Sequence, residues 1–272
     1  EIYESLYMYI RKENEEEEGN YQLLLDNIDK RNILKSKEEL IIFLRLLLNI
    51  FNHHHRYRNF PSKIFKILDF ISENIKQIFT NIEVFDLLKS NRLIILHLID
   101  NKIITIDEEI SNQILRLSQG NEWSYKYFFY PEIKSFISEE EQSNIENFLK
   151  ERNFNNLDTF NQHRRKGENE SMISSFIRND DISEFVTYLS KTNLSKLSRI
   201  QQSIFESNSI LNEKRPTLIE YAAFYGSIQV LKYLWLNQVD LSSSLWIYGI
   251  HSNNAEVIHF LEENHVLPPK GN

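Results

Sequence analysis

The sequence predicts an all-α protein on three observations. Glycine and proline are scarce: 6 Gly and 5 Pro make 11 of 272 residues, about 4%, against roughly 12% in average proteins. Tight turns draw heavily on both residues, so sandwiches, barrels and glycine-loop nucleotide folds are not expected. Helix-start signals recur along the first two-thirds of the chain, several of them followed by apolar residues at spacings of three and four. Near the C-terminal end, a helix–turn–helix pattern occurs more than once.

Taken in order, Ser36 is placed to cap a helix whose first turn holds Glu38 and Glu39, where the helix dipole favours acids. Its body is the apolar run over residues 40–51. Pro61 stands at a helix start, with Ile64, Phe65, Leu68, Ile71 and Ile75 on one face behind it. Asn81 opens a short helix over residues 82–90, and Asn91 another over 93–101. Thr105 with Glu108 reads as a capping box ahead of Ile110, Ile114 and Leu117. Pro131 and Ser138 mark two further starts, the second leading into Glu139, Glu140 and Glu141. Residues 12–20, acidic at 13 and 15–18 and without an apolar side chain, read as a solvated loop or frayed helix end. A second polar stretch over residues 152–171 includes His163, Arg164, Arg165, Lys166 and Gly167. It marks the boundary between a helical domain over 1–155 and the C-terminal region.

Charge and composition narrow the function. Lys and Arg total 31 against 39 Asp and Glu, a net charge of −8. A dedicated nucleic-acid binder carries a basic excess to neutralise phosphates, so nucleic acid is not the expected partner. There is no Cys, which excludes disulfide scaffolds and Cys-ligated zinc and permits a reducing compartment. The longest apolar stretch, residues 40–51, is interrupted by Arg45 and falls short of the roughly 20 residues a membrane span needs. No secretory signal is visible, and the cytoplasm is the default location.

Residues 217–241 read TLIEYAAFYGSIQVLKYLWLNQVDL. This segment resembles an ankyrin repeat, T-P-L-H-x-A-A-x-x-G-H-x-x-V-V-x-L-L-L-x-x-G-A-D, through Thr217, Ala222, Ala223, Gly226, Val230, Leu234 and Asp240. The Ala pair lets the first helix approach its neighbours, and Gly226 is placed to end that helix with positive φ. Pro216 precedes Thr217 instead of following it, Glu220 stands where the family has His, and Gln238 where it has Gly. A second copy over residues 244–261 sets Ser244 for Thr217, Gly249 and Ile250 for the Ala pair, and Asn253 for Gly226. Gly226 to Asn253 is 27 residues, shorter than the family's usual spacing, so the connecting finger is expected to be cut down. A weaker copy over 172–189 places Asp180 at the Gly position, with an insertion over 190–214 before the next copy.

Residues 91–105, NRLIILHLIDNKIIT, resemble a repeat's second helix and exit loop. The order of the N-terminal elements resembles the uncharacterised helical domain that precedes ankyrin repeats in many protist proteins. The resemblance implies a helical solenoid, with degenerate ankyrin repeats over 168–265.

It also implies a non-catalytic function, a protein–protein interaction module or adaptor that binds another protein through the repeat groove. The aromatics that fall on groove-facing first-helix positions are Tyr221, Phe224, Tyr225, Tyr248 and His251. Trp235 and Trp246 fall on core positions. A solenoid end without a polar cap leaves apolar surface for something to cover, and only two clear repeats precede residues 268–272. A fixed structural subunit of a large, cytoskeletal-type assembly is the first alternative, and an enzyme the second.

No cofactor, metal or catalytic residue is expected. The consecutive His53, His54 and His55 would point about 100° apart on a helix and cannot converge on one ion. With Arg45, Arg56, Arg58 and Lys63, His53 forms a basic patch that could dock an acidic partner. Glu256 and His259 supply one arm of a two-arm di-iron motif, and His97 reads as a helix-face residue without a carboxylate partner at reachable spacing.

Overall fold

A computed structural model of the chain describes residues 1–11, 16–53, 59–120 and 123–269. The regular structure among these residues is all helical, with no strand and one isolated antiparallel bridge, Arg199 to Thr217. The chain divides into two units, Glu1–Gly167 and Glu168–Asn272.

The first unit holds α1 (Ile2–Arg11), α2 (Glu16–Lys30), α3 (Lys37–His53), α4 (Phe60–Phe70), α5 (Ser72–Ile78) and α6 (Asn81–Leu88). It continues through α7 (Arg92–Asp100), α8 (Glu108–Leu117), the single turns α9 (Tyr125–Phe128) and α10 (Tyr130–Ile133), α11 (Glu139–Glu151) and α12 (Leu157–Lys166). Local chemistry sets most starts. The Ser36 hydroxyl accepts from Glu39 N, Asn91 caps α7, and Ser138 caps α11. Two starts shift. Thr80, not Asn81, caps α6, in a capping box with Glu83. Asp107, not Thr105, caps α8, because the helix begins only at Glu108 and the Asp carboxylate reaches Ile110 N at 2.9 Å. Thr105 instead exchanges hydrogen bonds with the Asn81 side chain.

The acidic stretch at 12–20 is helical from Glu16 onward as the start of α2, and its residues 12–15 lie outside those described. The polar stretch at 152–171 contains α12, so the first unit runs to Gly167, not 155. This helix carries few apolar residues, but Phe160 is buried and Arg164 is 3% exposed. Arg164 forks onto Glu132 at 2.6 and 2.7 Å and donates to Phe128 O at 2.8 Å. A bidentate buried pair of this kind fixes one helix on another with a defined geometry.

The second unit holds three helix pairs. They are α13 (Met172–Arg178) with α14 (Ile182–Thr192), then α16 (Leu218–Tyr225) with α17 (Ile228–Leu236), and α18 (Leu245–Ser252) with α19 (Ala255–Glu263). The short α15 (Ser209–Lys214) lies in the insertion between the first and second pairs. First helices pack in sequence, α13 on α16 and α16 on α18, and α14 packs on α17. Each pair turns on a residue of positive φ: Asp180 at 52°, Gly226 at 69° and Asn253 at 50°.

Polar ties set the register between pairs. The Asp180 carboxylate accepts from Gln229 N and Val230 N at 3.1 and 3.0 Å, so it caps α17, whose own cap residue Ser227 makes no side-chain cap. Ser227 donates instead to Ile177 O, and Asn254 Nδ2 donates to Gly226 O at 3.0 Å. Glu220 closes a capping box with Thr217 and accepts from Ser244 Oγ at 2.6 Å, so a carboxylate links adjacent pairs here.

The second helices of the second and third pairs, α17 and α19, share an exit. Gln238 and His265 take positive φ, and Val239 N and Val266 N return to Leu234 O and Leu261 O. In the first unit, α7 leaves the same way: Lys102 has φ 55° and Ile103 N bonds Leu98 O at 2.8 Å.

Candidate interaction surface

The groove aromatics are mostly core. Tyr221 and Phe224 are 0% exposed and Tyr248 3%, so these three cannot present themselves to a partner. Six of the eight residues of α16 are buried, as expected of a helix apolar all round. The insertion contributes Ile200 and Leu211 to the same apolar cluster, and Ile200, Ser203, Glu206 and Leu211 face Tyr221 across a nearly closed cleft. The Tyr221 hydroxyl accepts from Arg178 Nη1 at 3.0 Å, and that guanidinium also donates to Asn169 O and faces Glu168. Burial pushes the Tyr221 and Tyr225 phenols well above their ordinary range and Tyr248 to about 12. Tyr225 and His251 are half-buried, His251 with its ring centroid 5.9 Å from that of Phe224.

The basic patch is also altered. Arg56 and Arg58, with His54 and His55, lie outside the described residues. Arg45 and His53 are exposed on α3, but Lys63 is 3% exposed and points inward. Its ammonium donates to Tyr9 O and Ile10 O at 3.1 and 3.4 Å and faces Glu17 at 3.4 Å. A cation on the last carbonyls of α1 is the stabilising placement for a helix C-terminus.

His97 has a carboxylate partner that its own neighbourhood in sequence does not contain. Nε2 lies 2.7 Å from Asp69 Oδ1 on α4, and the ring stacks on Phe65 with centroids 4.1 Å apart. The arrangement ties α7 to α4. His259 faces Glu262 at 3.4 Å. Among the described residues, no group of three or more His, Asp or Glu could hold a metal ion, and no helix is long and apolar enough to cross a membrane.

Part of the open apolar surface lies on the third pair. Ile250 stands three residues before the turn residue Asn253, the place held by Ile177 before Asp180 and Ala223 before Gly226. Ile177 and Ala223 are 0% exposed, whereas Ile250 is 67% exposed. On α18, Tyr248 and His251 lean on Phe224. At about 100° per residue, Trp246 and Ile250 fall on the opposite side of that helix. Trp246 is half-buried and donates from Nε1 to Val266 O at 2.7 Å, which brings Leu267, 78% exposed, alongside. Ile247, 39% exposed, stands where Glu220 stands in the second pair, so apolar surface replaces the polar tie.

Trp235, expected in the core, remains 39% exposed, though its ring packs edge-on against Phe260. Ile247 and Ile250 are not among the groove aromatics. The sequence does not set Ile250 apart, since the first pair buries Ile177 at the same place, whereas Ile247 is an apolar residue where the preceding pairs hold Ser174 and Glu220. Compared with family models, curated proteins and solved structures, the chain matches none.

Proposed function

We propose that the chain is a non-catalytic protein-interaction module whose second unit is a short ankyrin-type solenoid. Its binding surface is the outer side of the third helix pair, not the groove. The partner is a cytoplasmic protein that presents an apolar helical face and stacks on α18 as α18 stacks on α16. The observation that carries this reading is Ile250, 67% exposed at a position where Ile177 and Ala223 are fully buried, in first helices that each pack on the next. Isolated exposed apolar residues are ordinary, but Ile250 shares a helix side with Trp246, Ile247 lies at the margin of that side, and the Trp246 bond to Val266 O brings exposed Leu267 to it.

The double substitution Ile247→Lys/Ile250→Lys tests it. Ile250 is largely solvated and Ile247 partly so, at 67% and 39% exposed, so the variant folds, as circular dichroism verifies. Capture of the native partner falls by tenfold or more, the loss of about 1.4 kcal/mol or more expected for anchor residues. Full capture by this variant contradicts the assignment. A fixed structural subunit is the second reading, favoured by Met172, Leu197 and Leu236, which are 60 to 71% exposed elsewhere on the same unit.

A further inference from the structure

The first unit contains a recess of about 450 Å³ between α10, α11 and the start of α12. That volume lies in the range of small-ligand sites, which are concave, mainly apolar and furnished with a few polar groups. Its floor is Tyr130, Leu149 and Phe160, each 8% exposed or less, and Phe154 lines it as well. Leu157, on the first turn of α12, lines the recess and stays 60% exposed.

The polar groups lie in two sets. Glu146 Oε1 accepts from Tyr130 Oη at 2.5 Å and from Lys134 Nζ at 2.8 Å, so its charge is matched within the wall. The hydrogen bonds to Lys134 and Tyr130 hold the Glu146 carboxyl below its usual range, and the bond to Glu146 raises Lys134. That pair stays ionised through neutral pH. Lys150 and Asn155 form the second set, and their side chains have no hydrogen bond or ion pair among the described residues. Counting Lys134 and Lys150 against Glu146, the recess carries a net positive charge of one.

The geometry points to a binding site for a small carboxylic acid, its body of one or two fused rings or a short alkyl chain on the Tyr130–Leu149–Phe160 floor and its carboxylate on Lys150 and Asn155. An apolar floor selects the body of the ligand. The one cation not already matched by a carboxylate selects its charge.

Calorimetric titration of the full chain with 2-naphthoate, beside the uncharged 2-naphthylmethanol, tests this. Naphthoate binds with a Kd of roughly 0.1–1 mM, the range its few atoms allow. The alcohol binds at least about threefold more weakly, since it lacks the charge met by Lys150. Lys150→Glu weakens naphthoate by about fivefold or more and leaves the alcohol within about twofold. Leu157→Trp, which fills the mouth, weakens both. Lys150 and Leu157 are exposed, so both variants fold, as circular dichroism verifies. Equal affinity for the two probes, no saturable binding up to about 10 mM, or naphthoate binding indifferent to Lys150→Glu would each overturn the assignment.

Discussion

Asp180 shows how far a single residue can be read from sequence. Its alignment with Gly226 correctly gives a left-handed turn residue, with φ 52°. Its second role is invisible in sequence, because the N–H groups that it caps belong to Gln229 and Val230 in the next pair. Asp180→Gly keeps the turn and removes the cap, so it lowers stability by about 0.5–2 kcal/mol, the usual worth of a helix cap. Asp180→Asn keeps both the φ preference and an acceptor, and costs less. Denaturant melts of the pair of variants check the order. Gly226 is constrained twice: its φ is 69°, and a Cβ there would meet Asn254 Nδ2 at 3.0 Å and Asn254 Cβ at 3.1 Å. Gly226→Val therefore costs about 1–3 kcal/mol in strain and disturbs the Asn254 bond to Gly226 O as well. An unchanged melting temperature would contradict both constraints.

At the scale of elements, helices with a strong cap and an apolar stripe are legible, and those held by distant partners are not. The helices behind Ser36, Pro61, Asn91 and Ser138 lie where their capping chemistry places them. By contrast α12, LDTFNQHRRK, reads as linker because its anchor is a guanidinium whose acceptors, Glu132 and Phe128 O, lie 32 and 36 residues away. The same limit misassigned α16. Periodicity could not show that an insertion brings Ile200 and Leu211 against the face that carries Tyr221. Replacing Tyr221 and Phe224 together by Ser therefore unfolds the second unit. Truncating a buried aromatic costs about 3–5 kcal/mol each, of the order of a domain's whole stability. Loss of cooperative melting in that variant checks it, and a native melt with selectively weakened binding would restore the groove as the contact surface.

At the scale of the whole molecule, the chain combines one unit with few repeat features and one built of three similar helix pairs. The buried phenols give it a defined alkaline limit. Burial raises Tyr9, Tyr221 and Tyr225 and brings Tyr248 to about 12, while the unfolded chain releases its phenol protons near 10. Above that pH the unfolded state binds fewer protons than the folded state, so stability falls as pH rises. The melting temperature stays level up to about pH 9.5 and drops between about 10 and 12. Phenolate absorbance for these residues appears together with loss of helicity. Their titration near pH 10 in a fully helical protein would contradict the buried placement. Contact of a partner with the outer side of the third pair is tested most directly by photo-crosslinking. A photoreactive side chain is placed at position 250, at position 225 and at position 251 in turn, and the native complex is irradiated. The expected result is a covalent adduct to the partner from 250 and none from 225 or 251. Adducts from 225 or 251 with none from 250 would contradict the proposed surface.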